Sequence, residues 1–175
     1  MKAHHRTASR TAATITVAVA AMSATAGGAA TAVPDDDLQA AKAATARYHS
    51  IVQAERAGYE QGSPCVSSPA GGMGFHYENH ELMADPALDP TQPEILLYAP
   101  GPSGRLQLVG IEYWKADADQ NLATTSDRPT LFGQPFNGPM PGHHPGMPVH
   151  YDLHVWLWQD NPAGLFALFN PTVTC

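Results

Sequence analysis

Residues 126–148 carry six prolines and four glycines. Proline lacks the amide proton that a helix interior or a central strand needs, so this stretch is loop or sheet edge. A loop that long inside a compact domain is either functional or disordered. Leu131, Phe132, Phe136, Met140 and Met147 give it apolar side chains to bury, which argues for order.

The regular elements must therefore come from either side. Upstream, three acids, Asp35, Asp36 and Asp37, open a pattern in which Leu38, Ala41, Ala44, Tyr48, Ile51 and Val52 recur at helical spacing until Gly58. Acids at the start and glycine at the stop predict one amphipathic helix. Lys42, His49, Gln53 and Arg56 fall on its polar side, which places His49 in solvent. Residues 59–74 read as loop, and runs 75–78, 94–98, 106–114, 149–158 and 165–169 have strand character. The Gly-Pro-Ser-Gly turn at 101–104 predicts an antiparallel hairpin between the second and third runs. The expected fold is α+β, with the helix packed on a mainly antiparallel, barrel-like sheet and the Pro/Gly-rich segment as a lid.

The first 32 residues stand apart. Lys2, Arg6 and Arg10 occur there without an acid, followed by an Ala/Thr/Val run and small residues up to Ala32. This is the form of a secretory signal peptide, with cleavage expected after Ala32 and a second small-residue site at Ala26. What remains is a single globular domain, residues 33–175, expected to be secreted or extracytoplasmic. No other stretch approaches the ~20 apolar residues of a spanning helix, so no stable membrane insertion is expected. In an oxidising compartment Cys65 and Cys175 form a disulfide by default, and they lack the C-x-x-C spacing of a redox pair. The net charge of −7 becomes more negative once the leader cations are lost. That balance excludes nucleic acid and anionic membrane as natural partners.

Chemistry concentrates in residues 142–158, GHHPGMPVHYDLHVWLW, where four histidines fall within twelve positions. Read as a strand from Val149, the segment puts His150, Asp152, His154, Trp156 and Trp158 on one face and Val149, Tyr151, Leu153, Val155 and Leu157 on the other. His150 and His154 would then have Cα atoms about 13 Å apart, too far for one ion without a bulge or ligands from neighbouring strands. A helix would put them on one face at i, i+4, but Asp152 does not match the Glu of H-E-x-x-H, and Val155, Trp156 and Trp158 suit a strand better.

Other strands supply what is missing. His76 and Glu78 alternate with Phe75 and Tyr77, and Glu112 points away from Ile111 and Tyr113. An acid in so apolar a run needs a partner if it is buried. Histidines from two strands with a carboxylate from a third form a donor set for a divalent transition metal, zinc or copper foremost. The expected metal ligands are His76, His150, His154 and His143, with Glu112 as ligand or catalytic general base acting on a small-molecule substrate. The plainer alternative pairs Glu112 with Arg105 or Arg128 and satisfies the histidines on loop carbonyls. Met140, His143, His144 and Met147 form a second, copper-like set. A different class of function, a secreted binding module for a small molecule or glycan, would use an aromatic face of Trp114, Trp156 and Trp158. No G-x-S-x-G elbow and no phosphate-binding loop occurs.

The motif at 72–77, GMGFHY, the strand EILLY at 94–98, GQPF at 133–136, the 142–158 segment and the closing NPTVTC together resemble a family of uncharacterised exported bacterial proteins common in actinobacteria. The likeness spans most of residues 33–175. It implies export and no particular activity. The family pattern has Pro after the Asn of the first motif, whereas this chain has His80, which adds His80 as a candidate ligand.

Overall fold

The computed structural model describes residues 1–2 and 35–175. All but the first two residues of the expected signal peptide lie outside the described residues. The expected helix is present in three pieces: α1 (Asp35–Thr45), a 3-10 turn (Ala46–His49) and α2 (Ile51–Arg56). Tyr48, Ala54 and Ala41 stay on the buried side through the break, so the apolar stripe survives even though the helix does not run straight.

The strands follow in chain order: β1 (Glu60–Gln61), β2 (Val66–Ser68), β3 (Gly71–Glu78), then a short helix α3 (His80–Ala84), β4 (Ile95–Pro100) and β5 (Leu106–Ala116). The Pro/Gly-rich segment contributes β6 (Thr130–Leu131), β7 (Gln134–Pro135) and β8 (Asn137–Met140), and β9 (His150–Val155) closes the set. One seven-stranded sheet runs β1-β3-β4-β5-β9-β8, with β2 also on β3, and all its pairings are antiparallel. The expected 94–114 hairpin is β4 against β5. The sheet is not closed into a barrel, which corrects that expectation: β8, with Pro139 in it, ends the sheet as an edge strand, where a missing amide proton costs least. Two further boundaries differ. The last long strand stops at Val155 instead of Trp158, and residues 165–169 form turns instead of a strand.

The sheet has two faces. Tyr77, Leu96, Tyr98, Leu108, Ile111, Tyr113, Tyr151, Leu153 and Val155 pack under the helices. Ile95, Leu97, Ala99, Val109, Trp114 and Trp156 form a smaller apolar layer on the other face, sealed by Val173 from the C-terminus. In β5 the alternation is shifted by one residue: Leu97 pairs with Gly110 and Tyr98 with Leu108, so Val109 is an extra residue in the ladder. Its carbonyl accepts the amides of Trp158 and Gln159 at 3.2 and 3.0 Å. Because of this bulge, Ile111 and Tyr113 face the helices and Glu112 faces the opposite side.

The C-terminus is tied back twice. Gly72 and Asn170 exchange backbone hydrogen bonds at 3.1 and 3.0 Å. A Cβ on Gly72 would lie 2.8 Å from Val173, so only glycine lets the tail approach β3. The disulfide Cys65–Cys175 then closes the end, with Cα atoms 5.6 Å apart across 110 positions. Closing a loop of that length removes roughly 4–5 kcal/mol of chain entropy from the unfolded state in the simple polymer account.

Candidate metal centre

His76 on β3, Glu112 on β5 and His154 on β9 all project from the face opposite the helices. Glu112 pairs directly with His154 in the β5–β9 ladder, so strand register alone brings these two side chains together. His76 is two strands from Glu112, about 10 Å between backbones. Its imidazole leans across β4 and places Nε2 3.3 Å from Glu112 Oε2. His154 Nε2 stands 3.5 Å from the same oxygen. One ligating atom from each residue falls within 4.8 Å of the others.

These are not hydrogen bonds. Glu112 Oε2 and both ring nitrogens of His154 are buried without a hydrogen-bond partner. The side chains of His154 and Glu112 are 1% and 4% exposed, whereas that of His76 is 12% exposed and forms the open side. Donor atoms about 2.1 Å from a shared tetrahedral centre are about 3.4 Å from each other, close to the spacing of Glu112 Oε2 from each imidazole.

Neighbouring groups decide which nitrogens face inward. The Ser63 hydroxyl donates to the Pro64 carbonyl at 2.8 Å. Its oxygen accepts the His76 backbone amide at 3.1 Å and lies 3.0 Å from His76 Nδ1. When the hydroxyl proton goes to Pro64, the Ser63 oxygen accepts from Nδ1 of a neutral His76 ring, the tautomer whose Nε2 lone pair is aimed at Glu112. On the other ligand, Asp152 Oδ1 lies 3.7 Å from His154 Nδ1 and accepts a hydrogen bond from the Asn137 amide at 3.0 Å. At 3.7 Å it acts on His154 as a charge rather than as a formed hydrogen bond.

Burial disfavours a charged His154, but Glu112 and Asp152 outweigh it and hold its pKa up at about 9. Burial likewise opposes ionisation of Asp152, and His154 and Asn137 overcome it to hold that carboxyl below its ordinary range. A proton on His154 thus offsets two buried carboxylates, a task that a divalent cation performs with twice the charge.

The three residues line a cavity of about 440 Å³ that holds five histidines, His76, His143, His144, His150 and His154, and the carboxylates Glu78, Glu112 and Asp152. His150 and His143, both expected as ligands, lie in this cavity but outside the three-atom group. His150 sits four residues up β9, its ring stacked on Trp114 at 5.6 Å and its Nδ1 3.1 Å from the Pro148 carbonyl. Burial lowers its pKa, with the Pro148 carbonyl opposing. His143 is exposed and meets the His150 ring edge-on at 4.8 Å. His143, His144 and Met147 bring the Pro/Gly-rich segment to one wall, and the His143 amide donates to Met147 Sδ at 3.4 Å. Met140, the fourth member of the copper-like set, is on β8 and does not line the cavity.

Three other expectations are corrected. His80 is the exposed first residue of α3, outside the cavity, where Asn79 caps the helix by accepting the Glu81 and Leu82 amides at 3.1 and 3.2 Å. Glu112 faces His76 and His154, and neither Arg105 nor Arg128 lines its cavity. The tryptophans do not share a face: Trp114 and Trp156 belong to the apolar layer beside the cavity, whereas Trp158 packs toward the helix side, 4.4 Å from the ring of His49 and under the Lys42 ammonium.

Sequence reading did not single out Ser63, because a lone serine in an irregular loop carries no periodic signal. It did place Asp152 and Glu78 on the correct faces without giving them roles. No family model matches this chain, and no curated protein or solved structure matches it either. Among the described residues, no helix is long and apolar enough to cross a membrane.

Proposed function

We propose that this chain is an exported metal-binding protein in which His76 Nε2, His154 Nε2 and Glu112 Oε2 hold one divalent transition metal, zinc ahead of copper, and that it acts as a metal-dependent enzyme on a small molecule. The observation that carries this is the orphaned Glu112 Oε2, buried between two imidazole nitrogens at 3.3 and 3.5 Å. A carboxylate held that way costs several kcal/mol unless a cation joins it. Two imidazoles and one carboxylate with a further position open to a cavity are the donor set of catalytic zinc sites. Such an ion lowers the pKa of bound water or polarises a carbonyl. Export is supported by the basic, then small-residue leader, read as residues 1–32, and by the Cys65–Cys175 disulfide.

Elemental analysis of untagged protein, purified without chelator, tests the reading. About one metal per chain is expected, and none in the His76→Ala/His154→Ala double variant. Wild-type protein that stays metal-free after equilibration with zinc would overturn it.

A further inference from the structure

The cavity contains a second unsatisfied acid that the metal reading does not use. The Glu78 side chain is 5% exposed and lines the cavity, and its Oε2 is buried with no hydrogen-bond partner. Its nearest basic neighbour, His144 Nε2, stands 3.8 Å away on a side chain that is 40% exposed. The chain makes room for this carboxylate: a Cβ on Gly62 would lie 2.3–2.6 Å from its carboxyl atoms, so any larger residue would displace it. Glu78 and Glu112 flank Ile95 in one row across three strands, about 10 Å apart at the backbone.

Charge around the cavity is one-sided. Among the described residues no lysine or arginine lines it, while three carboxylates do. Asp152 is engaged with Asn137 and His154, and Glu112 with the metal centre. Glu78 faces only the exposed imidazole of His144, with no hydrogen bond formed to its Oε2. Val66, Met73, Ile95, Trp114 and Met147 supply apolar lining, with Ile95 between Glu78 and Glu112. Walls of this kind with one unpaired acid recognise a cation that carries an apolar body and disfavour anions.

We infer that the ligand of this cavity is an organic amine, its ammonium group paired with Glu78 Oε2, its apolar part against Trp114 and Ile95, and its far end directed at the His76/Glu112/His154 centre. This rests on the metal reading only for what the far end meets; the ammonium contact stands on Glu78 itself.

Benzylamine and benzyl alcohol, matched in size and differing in charge at pH 7, are the probes for calorimetric titration of the zinc-equilibrated protein. Wild type is expected to bind the amine at least tenfold more tightly than the alcohol. Glu78→Gln, which keeps the side-chain volume, should remove that preference while leaving the metal content unchanged, and His144→Ala should retain it. Equal binding of the two probes by wild type, or an amine preference that survives in Glu78→Gln, overturns the inference. Metal counted on the same samples separates the two claims: full metal without amine preference sinks only the ligand assignment, and amine preference without metal sinks only the metal centre.

Discussion

Glu112 and His154 are direct partners across the β5–β9 ladder, and their facing atoms, Oε2 and Nε2, stop 3.5 Å apart with no hydrogen bond formed. Two buried groups that could bond and do not mark a place for a third partner.

Removing either should abolish stoichiometric metal. Glu112→Gln keeps shape and loses charge, so zinc affinity measured by calorimetry should fall by at least a hundredfold. In metal-free protein the same substitution deletes the main charge that raises the His154 pKa from its ordinary value to about 9. The His154 ring resonances should then titrate well below 9, and an unchanged midpoint would refute the pairing.

Metal uptake should depend steeply on pH. His154 must lose its proton to coordinate, so apparent zinc affinity should rise about tenfold per pH unit from neutral to about 9 and then level off. The metal-free protein should show the opposite trend. A base whose folded pKa is raised gives stability that is full below its unfolded value near 6.5 and lost as pH climbs through 9, here on the order of 3 kcal/mol. Urea titrations at pH 6 and pH 9.5, with and without zinc, read both effects.

Ser63 supports the centre through its contacts with the His76 amide and Nδ1. Ser63→Ala removes the acceptor that fixes the Nδ1 proton, so zinc should bind roughly 10–100-fold more weakly, as when other supporting groups of metal-bound histidines are lost. The thermal midpoint of the chelator-treated protein should move little, because the serine lies in a partly exposed loop. A large drop in that midpoint would assign Ser63 to folding instead.

Glu94 offers a control outside the centre. Burial lifts its pKa to about 7, against the opposing hydrogen bond from the Trp114 amide at 3.1 Å. An acid with a raised folded pKa favours the folded state at low pH and loses that contribution as pH passes 7, about 3 kcal/mol in all. Glu94→Gln keeps an acceptor for Trp114 and removes the charge, so it should stabilise the protein at pH 8 and have little effect at pH 4.

The sequence made the strands and their faces legible because alternation is a local property. His76 opposite Phe75 and Tyr77, Glu112 opposite Ile111 and Tyr113, and His154 opposite Leu153 and Val155 all follow from period two. Which histidine meets which acid was not legible, because it depends on strand order. With β4 between β3 and β5, His76 reaches Glu112 only by leaning across a whole strand, whereas His150, nearer to His154 in sequence, is set apart by the rise of β9. The barrel failed for the same reason: nothing local says that β8 ends the sheet. The tryptophan face failed because β9 ends at Val155, so parity no longer governs Trp158.

The unpaired residue at Val109 makes the chemistry of this protein a matter of counting. Take it into the ladder opposite Leu97, and everything from Gly110 to Ala116 would slip by one place, with Glu112 driven among the tyrosines under the helices and Tyr113 turned into the histidine cleft. A single-codon deletion of Val109, by contrast, would make the pairing continuous and leave the cleft its central acid.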